Sequence, residues 1–240
     1  LDNLILFAHL QIAKAQFTEE RGSVARFTCN ISQKFGVNNL IAATLDAFER
    51  IDALITTPSD FERGGPLELP VEALDRVMAS NLRSAFLLSQ AVATRMIAQS
   101  KERADDDEAD GPFQGGAIVH VSALSGQLSA PEVTAHAISC AALDQLPRSL
   151  AGALAPHGIR VNGVAPGGVM TDALRNSMNS EPELRTALIG RTPLGRVGEA
   201  SEAAETALFL ASERASFITG QIMVVDGGRS ILDPLAAANV

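Results

Sequence analysis

Residues 115–126 read GGAIVHVSALSG and residues 158–171 read GIRVNGVAPGGVMT, with a helical segment between them. Each stretch holds a continuous apolar run that ends at a turn rich in Ser, Gly or Pro. Such runs are typical of parallel strands that are buried on both faces of a sheet. Strand, helix and strand in this order predict a doubly wound parallel α/β sheet with helices on both faces.

The overall composition indicates a folded chain with a sizeable core. It has 240 residues, of which 46% are hydrophobic, and this length suits one large α/β domain or two small ones. The formal net charge of -9 argues against binding to nucleic acid or to an anionic membrane, because both require a basic surface. Two cysteines are too few for a disulfide framework, and no apolar run is long enough to cross a bilayer. Since no signal peptide opens the sequence either, we expect a cytoplasmic protein.

Apolar periodicity predicts the remaining elements around this centre. Three further strands are expected at residues 4–8, 24–29 and 51–55. Helices are expected at residues 9–20, 37–50, 67–83, 85–99 and 199–212. Residues 101–111 include the acidic run DDDEAD, and we interpret this segment as a solvated surface loop rather than a metal site.

Several motifs together resemble the short-chain dehydrogenase/reductase family. They are the run IRVNGVAPG at 159–167, the run FITGQIMVVDGG at 217–228, the loop glycine Gly126 and the helix residue Asn81. The resemblance covers roughly residues 29–228. It implies one Rossmann-like domain over residues 1–240, with the acidic segment near 101–111 as a surface insertion.

The resemblance also locates the family's catalytic positions. In that family a strand ends in a serine that steadies the substrate oxygen, and the next helix carries a Tyr-x-x-x-Lys pair that transfers the proton. The matching positions here hold Ala123, His136 and Cys140, and the chain contains no tyrosine. Asn81 is the one position of the set that is retained, and we assign it to helix structure rather than to a proton relay. The resemblance therefore implies that no intact catalytic set is present.

The family's cofactor-binding positions are partly retained. The turn that closes over the nicotinamide is matched by Pro166, Gly167, Val169 and Thr171. The positions near the adenine and its ribose are altered, to Asn30, Thr56 and Thr57. No glycine-rich turn precedes Asn30, and the spacing suggests that residues 4–8 are the family's second strand. We therefore expect the first β-α unit to be lost or to lie upstream of this sequence, and we expect no cofactor on this chain.

These losses predict a non-catalytic subunit that completes a heterotetramer with an active paralogue of the same family. The partner would hold NAD(H), and relatives of this kind accompany hydroxyacyl-CoA or ketoacyl-group dehydrogenases. One alternative is an active reductase with an unusual site centred on His136, whose ordinary pKa suits proton transfer at neutral pH. Pairing of His136 with Ser122 or Ser125, or with Cys140 around a metal, is less favoured, because no orienting carboxylate or third ligand is evident. A ligand-sensing regulator without chemistry is a further alternative.

Overall fold

The computed structural model describes residues 5–8, 25–57, 60–104 and 115–232. The strands are β1 (Ile5–Ala8), β2 (Ala53–Thr56), β3 (Gly116–Val121), β4 (Ile159–Pro166), β5 (Val169–Met170), β6 (Gly198–Glu199) and β7 (Ile222–Val225). The helices are α1 (Lys34–Phe48), α2 (Val71–Met78), α3 (Ser84–Ala104), α4 (Thr134–Leu154), α5 (Asp172–Ser180), α6 (Pro182–Gly190) and α7 (Ala200–Ala211). A π-helical turn, Ala79–Arg83, joins α2 to α3.

Five of these strands form one parallel sheet in the order β1-β2-β3-β4-β7. β3 lies in the middle, with Ala117 opposite Ala53 of β2 and Gly116 opposite Ile159 of β4. β5 and β6 form a separate short parallel pair. The parallel pairing, with helices between successive strands, confirms the doubly wound α/β prediction.

Alternate residues of the central strands point to opposite faces of the sheet, and helices cover both faces. Leu54 and Ile118 pack on one face with residues of α1, α3 and α4. Ile55 and Val119 pack on the other face with residues of α7. All four side chains are at most 2% exposed, which explains why the central runs are apolar without alternation.

The N-terminal part differs from the predictions in two respects. β1 pairs directly with β2, which is the place of the first strand in the doubly wound order, whereas the sequence spacing made residues 4–8 the second strand. Residues 25–30 form no strand, so the strand predicted at 24–29 is wrong. Residues 25–28 are exposed, and a run without a buried face gains little from strand pairing.

The helix predicted at 9–20 and the acidic run from residue 105 onward lie outside the described residues. Among the helices that are described, none is both long enough and apolar enough to span a bilayer.

Side chains of β4 form hydrogen bonds with residues 210–221, the segment that leads into β7. The guanidinium of Arg160 donates to the carbonyl oxygens of Leu210 (2.7 Å) and Ser212 (2.9 Å), where α7 ends and its carbonyls have no helical partner. Asn162, at 0% exposure, donates to a carbonyl at one end of residues 218–221 (2.8 Å) and accepts from an amide at the other end (3.1 Å). These contacts fix the last strand of the sheet to the strand beside it.

Candidate active site

The candidate site lies at the carboxyl ends of β3 and β4, where open parallel sheets bind ligands. A 3₁₀ turn, Leu124–Gly126, follows β3 and packs against α4. A Cβ atom on Gly126 would lie 2.7 Å from the backbone nitrogen of Ala141, so only glycine permits this close approach. The turn brings Ala123 and Ser125 next to the first turns of α4, which carry His136 and Cys140.

The loop after β2 forms the opposite wall of the site. The backbone nitrogen of Gly64 in this loop donates to the carbonyl of Glu132, just before α4 (2.9 Å). The same loop brings the carbonyl oxygen of Asp60 to 3.4 Å from Nδ1 of His136. The ring of Phe61 meets the imidazole edge-on, with 5.4 Å between ring centres. The imidazole is thereby held between this loop and α4.

His136 is half-buried in this position. Burial lowers the pKa of its imidazole below the ordinary value of 6.5, while the carbonyl and the charge of Asp60 raise it in part. The imidazole is therefore neutral at neutral pH and can accept a proton. Its Nε2 lies 3.5 Å from the Sγ atom of Cys140, one helical turn further along α4.

Cys140 is almost fully buried, at 3% exposure. Burial raises the pKa of its thiol to about 11, with the nearby Asp144 carboxylate adding to the rise and hydrogen bonds from Ser125 and Ser139 opposing it. The thiol is therefore uncharged and cannot act as the cation that the family places here. His136 and Cys140 form a pair, and no group of three His, Cys, Asp or Glu side chains suited to a metal occurs among the described residues.

Neither Ser122 nor Ala123 supplies the hydroxyl that the family's serine directs at the substrate. The hydroxyl of Ser122 donates to Oδ1 of Asp144 on α4 (2.5 Å), and Gln127 donates to the other oxygen of the same carboxylate (3.0 Å). Ser122 is thus bonded away from His136, against the serine–histidine pairing considered above. Ala123 occupies the serine position in an extended backbone conformation and supplies no side-chain donor.

Asn81 lies in the π-helical turn and is 2% exposed. Its side chain does not cap its own helix but reaches across to Asp60 and Ser139. The sequence reasoning missed both of these partners, as it missed Asp144. Asn81 is 21 residues from Asp60 and 58 residues from Ser139, and Ser122 is 22 residues from Asp144. No local sequence pattern marks contacts over such separations.

The altered cofactor positions are engaged in contacts of their own. Oδ1 of Asn30 accepts from the backbone nitrogen and the hydroxyl of Ser32 (3.0 and 2.6 Å). The hydroxyl of Thr56 is 2.7 Å from Nδ1 of the buried His120, so it faces the core. Thr57 is half-buried at the end of the same strand. Together with the uncharged Cys140, these side chains provide no ionic contact for a ribose or an adenine.

The nicotinamide turn is better suited to a ligand. Gly167 packs so closely on β7 that a Cβ atom there would lie 2.6 Å from the Cβ of Asp226, which fixes the turn against the end of the sheet. Thr171 is exposed, and its oxygen accepts from the backbone nitrogen of Leu174 (3.2 Å) while its hydroxyl hydrogen can still be donated. Pro166 ends β4 and Val169 begins β5 on either side of this turn. These residues fit the nicotinamide end of a dinucleotide. By contrast, the side chains at the family's ribose and adenine positions carry no charge that could bind those groups.

Comparison with known proteins gives three informative relatives. The model of the enoyl-(acyl carrier protein) reductase family matches residues 5–230. L-rhamnose 1-dehydrogenase (NAD(P)(+)) of Azotobacter vinelandii is 35% identical over 189 residues, which are 79% of this chain and 68% of that protein. 2-(R)-hydroxypropyl-CoM dehydrogenase of Xanthobacter autotrophicus is 31% identical over 220 residues, or 90% of this chain and 82% of that protein. The solved structure of a 7α-hydroxysteroid dehydrogenase with NADH and 7-oxo glycochenodeoxycholic acid has a TM-score of 0.74 at 30% identity, covering 84% of this chain and 72% of that one.

These relatives correct the functional prediction. All three are named as dehydrogenases, which contradicts a non-catalytic subunit and fits the alternative of an active reductase better. The solved relative holds NADH, so the family uses a nicotinamide cofactor, although none was assigned to this chain. A narrower resemblance, to the inactive subunit of a 2-(hydroxybenzyl)succinyl-CoA dehydrogenase, finds no support in these relatives, and the heterotetramer stays a prediction. With a family match over residues 5–230, the chain belongs to the short-chain dehydrogenase/reductase family.

Proposed function

We propose that this chain is a nicotinamide-dependent oxidoreductase that interconverts a secondary alcohol and a ketone, with His136 exchanging the proton of the substrate oxygen. The observation that carries the proposal is the placement of a half-buried imidazole, fixed at Nδ1, where the family has its proton donor. The class of substrate follows the names of the relatives, which are dehydrogenases of hydroxyl compounds.

His136 acts as the general base in the direction of alcohol oxidation. The substrate hydroxyl replaces the weak thiol donor at Nε2, and its proton passes to that nitrogen as the carbon–hydrogen bond breaks. In ketone reduction the same nitrogen returns the proton to the oxygen. A bound nicotinamide supplies the hydride acceptor or donor. Burial favours the neutral imidazole, so oxidation is the better supported direction at neutral pH.

The remaining residues of the site orient the reactants without charge. The hydroxyl hydrogen of Thr171 is available to the carboxamide of a nicotinamide. Ala123 contributes no hydrogen bond to the substrate oxygen, and the thiol of Cys140 contributes no cation. We therefore expect weaker cofactor binding and slower turnover than in relatives with a complete set of polar groups.

The test is turnover by the purified protein on a panel of secondary alcohols and their ketones, including L-rhamnose, with NAD⁺ or NADP⁺ and with the reduced forms. The expected result is measurable reduction of the nicotinamide and a loss of roughly 10²- to 10⁴-fold in kcat for His136→Gln. His157→Gln, at an exposed histidine outside the site, is the matched control and keeps the rate of the wild type. Absence of turnover with either cofactor, or an undiminished rate in His136→Gln, would overturn the proposal.

A further inference from the structure

One buried side-chain amide, that of Asn81, bonds both the backbone N–H and the backbone carbonyl of Asp60. The backbone nitrogen of Asp60 donates to Oδ1 of Asn81 (2.9 Å), and Nδ2 of Asn81 donates back to the Asp60 carbonyl oxygen (2.9 Å). An N–H group can only donate and a carbonyl oxygen can only accept, so the orientation of the Asn81 amide follows from these two contacts. The loop after β2 is thereby fixed to the turn between α2 and α3.

The same amide also reaches α4. The second hydrogen of Nδ2 points to the hydroxyl of Ser139 (3.0 Å), and Ser139 donates in turn to the carbonyl oxygen of His136 (2.8 Å). Ser139 is at 0% exposure, so neither contact competes with solvent. Asn81 therefore connects to His136 by two routes, one through the Asp60 carbonyl and one through Ser139.

The Asp60 carbonyl faces one ring nitrogen of His136. Because that oxygen can only accept, its contact with Nδ1 at 3.4 Å is a hydrogen bond when Nδ1 is the protonated nitrogen of the neutral ring. Nε2 then keeps its lone pair and lies 3.5 Å from the thiol of Cys140. The Phe61 ring also meets the imidazole, and the Asp60 carboxylate is paired with Arg76 (3.3 Å).

We infer that Asn81 is a positioning residue that holds His136 as the Nδ1–H tautomer, so that Nε2 is the nitrogen that exchanges the substrate proton. This inference rests on the proposed function for its catalytic meaning, although the tautomer itself is a property of the free protein. It gives the Asn81 side chain a role that acts through the backbone of Asp60. Nε2 faces Cys140 and the site, whereas Nδ1 faces the loop wall.

The tautomer is read directly by NMR of protein labelled with ¹⁵N-histidine. The chain has four histidines, and His136→Gln assigns the signal of interest by its disappearance. Above the titration range, the wild type should show Nδ1 as the protonated nitrogen and Nε2 as the bare one. Asn81→Leu removes both routes, and we expect the signal to move towards the Nε2–H form or to an exchange average, with kcat lower by roughly 10- to 100-fold.

Gln99 offers a matched control, because its side-chain amide bonds the backbone nitrogen (3.0 Å) and the backbone oxygen (2.9 Å) of Ile51 in the same way. Gln99→Leu removes an equivalent amide and should leave the His136 pattern unchanged. If Asn81→Leu does not fold, Asn81→Asp serves instead, since it keeps the acceptor and loses both donors. The inference would be refuted if His136 of the wild type were protonated at Nε2, or if its ¹⁵N signals were unchanged in the Asn81 variant.

The two proposals fail separately in these experiments. If the wild type shows the expected tautomer but no turnover, the positioning role of Asn81 stands and the proposed oxidoreductase activity is refuted. If turnover depends on His136 but the ring is the Nε2–H tautomer, the oxidoreductase proposal stands and the positioning role of Asn81 is refuted.

Discussion

His120 bridges three elements inside the core, and its replacement gives a quantitative test of the structure. The side chain is 1% exposed on β3, with Nδ1 at 2.7 Å from the hydroxyl of Thr56 on β2 and Nε2 at 3.1 Å from the hydroxyl of Ser89 on α3. Ser89 donates its own hydrogen to the carbonyl of Ala85, so it accepts from Nε2, and Thr56 donates to Nδ1. The neutral ring satisfies both hydroxyls, whereas a protonated ring would place a hydrogen on Nδ1 against Thr56 and an unpaired charge in the core.

The size of the effect follows from the shift in pKa. Burial lowers the pKa of His120 from 6.5 to about 3. The unfolded chain takes up a proton as the pH falls below about 6.5, while the folded chain does not until about 3, so stability declines through this window. Between pH 7.5 and pH 5.0 this one group should remove about 2 kcal/mol from the free energy of unfolding, and about 5 kcal/mol once the pH is below both values.

The assay is urea unfolding at pH 7.5 and at pH 5.0 for the wild type and for His120→Asn. Asparagine keeps an acceptor for Thr56 and does not titrate, so the variant starts from lower stability but should lose about 2 kcal/mol less between the two pH values. His157→Asn, at an exposed histidine, is the control and should follow the wild type. Equal losses in the wild type and in His120→Asn, within about 0.5 kcal/mol, would refute the reasoning.

Three further outcomes are expected. Arg160→Gln should lower the free energy of unfolding by about 2 kcal/mol in urea titrations, because the carbonyls at the end of α7 lose a charged donor; an unchanged midpoint would contradict this. Gly126→Ala should lower the melting temperature, at a cost of about 1–3 kcal/mol, since its Cβ would meet the backbone of α4 at 2.7 Å, and a melting curve like that of the wild type would count against the packing described. The rate of alcohol oxidation should stay level at neutral pH and fall with acidification below pH 6.5, as His136 takes up a proton with a lowered pKa; a rate that rises on acidification would contradict a base at this position.

The central elements are predictable from the sequence because their signals are local. The apolar runs of β3 and β4 are the parts buried on both faces, and α4 begins and ends near turns marked by Pro and Gly. The family resemblance assigns Ala123, His136 and Cys140 to the catalytic positions, and the structure places them around one loop and the start of α4. The sequence therefore predicts which side chains lie together at this end of the sheet.

The rest depends on contacts between distant parts of the chain. The apolar character of residues 24–29 predicts a strand, but residues 25–28 are exposed in the fold and gain nothing from pairing. The contact between Asp60 and His136 joins residues 76 positions apart, and no local sequence pattern marks it. The prediction of a non-catalytic subunit was wrong because it rested on lost family residues alone, whereas the similar proteins are named as dehydrogenases.

The hydrogen bonds from β4 to residues 210–221 have a consequence for biosynthesis. Ribosomes deliver the amino-terminal part first, so Arg160 and Asn162 emerge long before the carbonyls and amides that they bond. During that interval a guanidinium and an amide destined for the interior have only water as partner, and β4 offers an open edge where β7 will dock. We expect nascent chains that stop short of residue 221 to remain sensitive to protease and to bind chaperones, and protection to arise only when the final strand is released.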